Sequence, residues 1–110
     1  MSELVLLDST TTLLSACEAL NRASARVAFI VNDSNSIIKS LSYGDISRAL
    51  LRGVSIHSNC SGIGNPSFVY LEESDQMNAR LLMKKHGITD IPIVNPQLKP
   101  IKLVSYQDLL

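Results

Sequence analysis

The sequence predicts an α/β (α+β) fold made of two β-α-β-β-α halves related by a pseudo-twofold axis and packed through their sheets. Three observations carry this reading. Ser42-Tyr43-Gly44-Asp45 returns 63 residues later as Ser105-Tyr106-Gln107-Asp108, and both copies lead from a β-type run into a helical pattern. Residues 28–47 align to residues 91–110 without a gap, and eight of the twenty positions are identical, Ile30/Ile93, Lys39/Lys102 and Ser42/Ser105 among them. Within each half the apolar spacing alternates between a helical period and continuous strand-like runs. A fixed-period repeat sets the architecture, and two copies imply a pair rather than a solenoid.

Each element has its own local signal. Leu4–Leu7 is a short apolar run read as the first strand. Asp8-Ser9-Thr10-Thr11-Thr12 supplies helix-capping side chains, and Leu13, Ala16, Cys17, Leu20 and Ala23 then recur at helical spacing. Val27–Val31 and Ile37–Ser42 flank the turn residues Asn32-Asp33-Ser34-Asn35 and read as a hairpin. Ile46, Ala49 and Leu50 mark a second helix, which Gly53 ends. The Ser-, Asn- and Gly-rich stretch 55–66 reads as a linker, placing the first motif at 1–54 and the second at 67–110.

The second half repeats the order. Phe68–Leu71 is its strand. Ser74 or Asp75 caps a helix to His86, with Met77, Leu81 and Leu82 inward and Gly87 as its stop. Ile91–Val94 and Ile101–Ser105 form the hairpin, bounded by Pro96 and Pro100. The final helix has barely begun at Leu110, which reads as a truncated last helix, either of a piece of a longer protein or of a genuinely short terminus.

Composition narrows the function. A chain of 110 residues makes one ordinary core-forming module. Ten basic residues balance ten acidic ones and Trp is absent, so neither nucleic acid nor an anionic membrane is the expected partner. The sequence has no signal peptide and no run of about 18 apolar residues, so a cytoplasmic location is expected. Cys17 and Cys60 are the two cysteines, in dissimilar contexts, and are read as free thiols in a reducing compartment. His57 and His86 lie far apart with no second ligand at metal spacing, which disfavours zinc. No nucleophile turn or phosphate loop occurs, so no catalytic residue is assigned and the chain is read as non-enzymatic.

Gly87-Ile88-Thr89-Asp90-Ile91-Pro92 matches a Gly-apolar-x-x-apolar-Pro stretch, and the Ser-x-x-Asp motif reaches Asp108 sixteen residues after Pro92. In order, spacing and duplication these resemble a tandem pair of CBS (cystathionine β-synthase-type) domains over nearly the whole chain. A narrower likeness joins Gly44-Asp45-Ile46-Ser47-Arg48-Ala49-Leu50-Leu51-Arg52-Gly53 to CBS pairs fused to sugar-phosphate nucleotidyltransferases. Tyr43 and Ser47 depart from that subgroup's usual Asp and Arg.

The resemblance implies a regulatory module that takes an adenine nucleotide or related ligand (AMP, ADP, ATP or S-adenosylmethionine) in a cleft between the motifs. No cofactor is required. It implies a homodimer and an attached catalytic domain as partners. Ser105 and Asp108, with Gly87, Ile88, Thr89, Asp90, Ile91 and Pro92, would form the better site. Ser42 and Asp45, with Arg26, Val27 and Ala28, would form the other.

The chemistry is sound. A helix N-terminus suits phosphate, a serine hydroxyl adds a neutral donor, and a carboxylate three residues on accepts ribose hydroxyls. Simple helix capping explains the same Ser and Asp equally well. The first half has Ser24 and Phe29 where the second has Gly87 and Pro92, which weakens the first site. The duplicated Lys39 and Lys102 are either solvated strand charges or cations that favour an anionic ligand. The rival function is a structural dimerisation module whose clefts have degenerated.

Overall fold

The computed structural model describes residues 3–110 and resolves two units, residues 5–68 and residues 3–4 with 69–110. Residues 1–2, counted in the first motif from sequence, lie outside the described residues. Each unit holds one three-stranded mixed sheet with its helices, which is the α/β class expected.

In the first unit β1 (Leu6–Leu7) pairs parallel to β2 (Val27–Val31), and β2 pairs antiparallel to β3 (Ile37–Ser42). Helix α1 (Leu13–Ala23) begins where the Thr12 hydroxyl accepts the Ser15 amide at 3.1 Å. Its Leu13, Ala16 and Leu20, spaced three and four apart, are buried against Ala28, Ile30 and Leu41 of the sheet. Burying each such leucine stabilises the unit by roughly 1.5–3 kcal/mol. Helix α2 (Tyr43–Leu51) adds Ile46 and Ala49 to the same core. Gly53, just beyond α2, has φ 92° and ends it as expected.

The second unit repeats this order. β4 (Leu71–Glu72) pairs parallel to β5 (Asp90–Val94), which pairs antiparallel to β6 (Pro100–Ser105). The hairpin register is reproduced pair by pair. Val27↔Ser42 becomes Asp90↔Ser105, Ile30↔Lys39 becomes Ile93↔Lys102, and the register shift after Ile30 recurs after Ile93. The repeat in sequence is therefore a repeat in hydrogen bonding.

Three details differ from the sequence reading. The first strands are shorter and sit at Leu6–Leu7 and Leu71–Glu72, leaving Leu4 and Phe68 outside them. The helix expected from residue 74 starts as a 3₁₀ segment, Glu73–Asn78, and becomes α-helical only in α3 (Ala79–His86). A 3₁₀ turn holds about three residues, so it shifts the phase of the face extrapolated from residue 74. Ala79 and Met83 point inward, with Leu82 half-buried, while Met77 and Leu81 are 88% and 67% exposed.

The third difference is the stretch 55–66, which is built into the first unit. The Leu13 and Leu14 amides, orphan donors at the start of α1, bond to the Ser58 and Ile56 carbonyls at 3.0 and 2.9 Å. Ser40 and Asn65 exchange two backbone hydrogen bonds along the outer side of β3, at 3.0 and 2.8 Å. Ile56, Cys60 and Ile63 anchor the segment in the core, and Cys60 is fully buried. Burial pushes the Cys60 thiol pKa up, and both cysteines are free. A polar majority at these positions conceals three apolar anchors at spacings of three and four.

Candidate functional site

Both Ser-x-x-Asp motifs sit where a strand turns into a helix, and both are capping boxes. In the first, the Ser42 amide and hydroxyl donate to Asp45 Oδ2 at 2.9 and 3.1 Å, and the Asp45 amide donates back to Ser42 Oγ at 3.2 Å. The other carboxylate oxygen, Oδ1, accepts from the Arg48 guanidinium at 2.8 Å. Both oxygens of Asp45 are thus engaged inside the unit.

In the second motif the Ser105 amide donates to Asp108 Oδ2 at 2.9 Å. Ser105 is fully buried at the end of β6, whereas Asp108 is exposed on the 3₁₀ turn Tyr106–Leu109. The Ser105 amide holds the Asp108 carboxyl below its ordinary pKa of 3.8, outweighing the opposing desolvation. Among the described residues no side-chain cation pairs with Asp108 as Arg48 does with Asp45. Capping therefore operates at both motifs, and the second leaves its carboxylate facing outward.

The remaining predicted residues divide between surface and core. Gly87 caps α3 in the left-handed conformation, φ 64°. The Thr89 carbonyl accepts the Tyr106 amide at 2.8 Å, and its hydroxyl donates to Asp90 Oδ2 at 2.8 Å, so Thr89 and Asp90 lie beside the Ser105 junction. Ile91 and Pro92 are buried in β5. In the first unit Arg26 is exposed, Val27 half-buried opposite Ser42, and Ala28 buried opposite Leu41. Phe29 is 2% exposed and meets Phe68 edge to face, with ring centroids 6.4 Å apart.

Among the surface grooves of the second unit, two take up residues of the predicted site and divide them. One, about 440 Å³, is lined by Gly87, Ile88 and Thr89 with Arg80, Lys84 and Tyr106. The other, about 370 Å³, has an apolar floor of Leu103, Val104 and Leu109, with Gln76, Lys102 and Asp108 around it. Both volumes fall in the range of small-molecule sites, about 300–1,000 Å³. Nothing local in the sequence marks Gln76 or Leu109 as groove residues. Tyr106 belongs to the repeated tetrapeptide but carried no assigned role. Among the described residues no His, Cys, Asp and Glu cluster suits a metal ion, and no helix is long and apolar enough to cross a membrane.

The two lysines part ways. Lys39 Nζ donates to the Ser61 carbonyl at 2.7 Å and ties the 55–66 segment to β3. Lys102 is exposed in β6 and has no hydrogen bond or ion pair with another described residue.

No family model and no curated protein matches the sequence. Solved structures do. A CBS domain protein from Pyrobaculum aerophilum complexed with AMP superposes with a TM-score of 0.85 at 20% identity, over 99% of this chain and 85% of that one. The fold is that of a CBS domain pair. The CBS domain pair of protein MJ0100, in complex with 5′-methylthioadenosine and S-adenosyl-L-methionine, gives 0.83 at 16% identity, covering 99% and 90%. The cytosolic domain of the Mg²⁺ channel MgtE in complex with ATP gives 0.80 at 22% identity, covering 99% of this chain and 44% of that one. At these identities the likeness is one of fold.

Proposed function

We propose that this CBS pair is a non-catalytic regulatory module that binds an adenine nucleotide or a related ligand at the Asp108 groove. The observation that carries the reading is the outward-facing Asp108 carboxylate, set by the Ser105 amide beside an apolar floor of about 370 Å³. An ionised carboxylate accepts two vicinal hydroxyls, the apolar floor suits a base or ribose face, and the groove has room for a nucleoside. The AMP, S-adenosylmethionine and ATP held by the fold neighbours support this ligand class. Ligand binding would regulate by favouring one conformation of the module over another, with an effect bounded by the ligand's preference between them.

On this reading the module acts in the cytoplasm, as a homodimer, on an attached or partner enzyme. The Gly44–Gly53 stretch makes a nucleotidyltransferase the first enzyme to consider. Isothermal titration with AMP, ADP, ATP, S-adenosylmethionine and NAD tests the ligand class. Heat with at least one is expected, and silence with all five refutes it.

A second reading, a structural dimerisation module with degenerate sites, is favoured by the first unit. There Arg48 occupies Asp45, and Phe29 fills the position that is Pro92 in the second copy. A dimer in sedimentation that persists unchanged with every nucleotide would support this alternative.

A further inference from the structure

We propose that Lys102 is a specificity-determining residue that makes the Asp108 groove select a phosphorylated nucleoside over the bare nucleoside. This rests on the nucleotide reading above and refines it. Lys102 and Asp108 line the same groove, yet no ion pair joins them. The Lys102 ammonium therefore retains capacity for an anion, while the Asp108 carboxylate, held by the Ser105 amide, presents acceptor oxygens to donor hydroxyls. Leu103, Val104 and Leu109 line the same groove with apolar surface. A ligand that carries both a ribose diol and a phosphate matches that set of groups, and adenosine satisfies only half of it.

The duplicate lysine supplies an internal contrast. Lys39 holds the matching register position, opposite Ile30 as Lys102 is opposite Ile93. Its ammonium is spent on the Ser61 carbonyl, and its stem lies within 3.6 Å of where a side chain on Gly64 would begin. No described segment grips Lys102 in this way. The same residue is thus a tether in one copy and an available cation in the other. Arg48 closes the first copy further by taking the second oxygen of Asp45.

The test is titration of the whole chain with AMP and with adenosine, in the unaltered protein and in Lys102→Gln, Lys102→Arg and Lys39→Gln. The ammonium is solvent-exposed, so its preference for phosphate is expected to be about tenfold. It should shrink as salt rises from 0.05 to 0.5 M, while adenosine affinity stays flat. Lys102→Gln should bring AMP to parity with adenosine, Lys102→Arg should keep most of the preference, and Lys39→Gln should leave the ratio unchanged. An AMP-to-adenosine ratio that survives in Lys102→Gln overturns the assignment of Lys102 while leaving the nucleotide reading intact. Failure of both ligands to bind the unaltered protein overturns the nucleotide reading itself, and this assignment with it.

Discussion

Ser24 and Gly87, 63 residues apart, hold the same backbone conformation, φ 51°, ψ 35° and φ 64°, ψ 35°, each capping the helix ahead of its hairpin. Left-handed backbone costs a non-glycine residue roughly 1–2 kcal/mol. Ser24→Gly is therefore expected to stabilise the protein by about 1 kcal/mol, part of the gain being offset by the freer unfolded chain. The reverse change, Gly87→Ser, should cost a similar amount, since a Cβ added there meets open space and the backbone conformation is the main cost. Urea midpoints shifting in opposite directions at constant slope would bear this out; equal midpoints would refute it.

The hairpin loops show the same asymmetry with the roles of the halves reversed. Asn35 and Leu98 sit at φ 63° and 62°, inside loops that Asn32 and Asn95 cap alike. Asparagine tolerates this conformation and leucine does not. Leu98→Asn is expected to raise the thermal midpoint, by about 0.5–1 kcal/mol of stability, because Leu98 is only half-buried and gives up little packing. A lowered midpoint would mean that its apolar contacts outweigh the backbone strain.

Gly64 is where the 55–66 segment meets β3. A side chain there would begin 2.6 Å from the Ser40 carbonyl oxygen, on a backbone of φ 105°. Gly64→Ala is expected to cost about 2–3 kcal/mol and to break the Ser40–Asn65 pairing. Amide exchange at Ser40 and Asn65 should accelerate together while that of Ala28 does not. Unchanged protection would show the segment to be held by its apolar anchors alone.

Asp108 makes stability acid-sensitive in a defined direction. Its pKa is lowered in the folded protein, so the stabilisation from the Ser105 amide is fully present above about pH 4. It is lost as pH falls further, through the folded-state pKa. The gap in thermal midpoint between the unaltered protein and Asp108→Asn should be constant from pH 5 to 7 and narrow below pH 4. A gap that widens in acid would contradict the assignment of the carboxylate as the hydrogen-bonded partner.

Much of the fold was legible because the hairpin carries it. Identity at Ile30/Ile93, Lys39/Lys102 and Ser42/Ser105 fixes one register twice, and the Ser and Asp of each motif cap as their chemistry demands. The helix face in the second half is ambiguous in sequence because Met77 and Leu81 form as good an apolar pair as Ala79 and Met83. Only the 3₁₀ start, which no local residue signals, decides between them. The 55–66 segment reads as a linker from sequence because Ile56, Cys60 and Ile63 are outnumbered by Ser, Asn and Gly. The grouping of the residues proposed for the site is not legible from their spacing. Gly87, Ile88 and Thr89 line one groove and Asp108 another.

The measurement that bears most directly on the account is AMP titration of the unaltered protein alongside Asp108→Asn and Asp45→Asn. One AMP per chain is expected, retained in Asp45→Asn and lost or weakened at least tenfold in Asp108→Asn. Binding that survives Asp108→Asn undiminished, or that disappears only with Asp45→Asn, would contradict the placement of the site on the second unit.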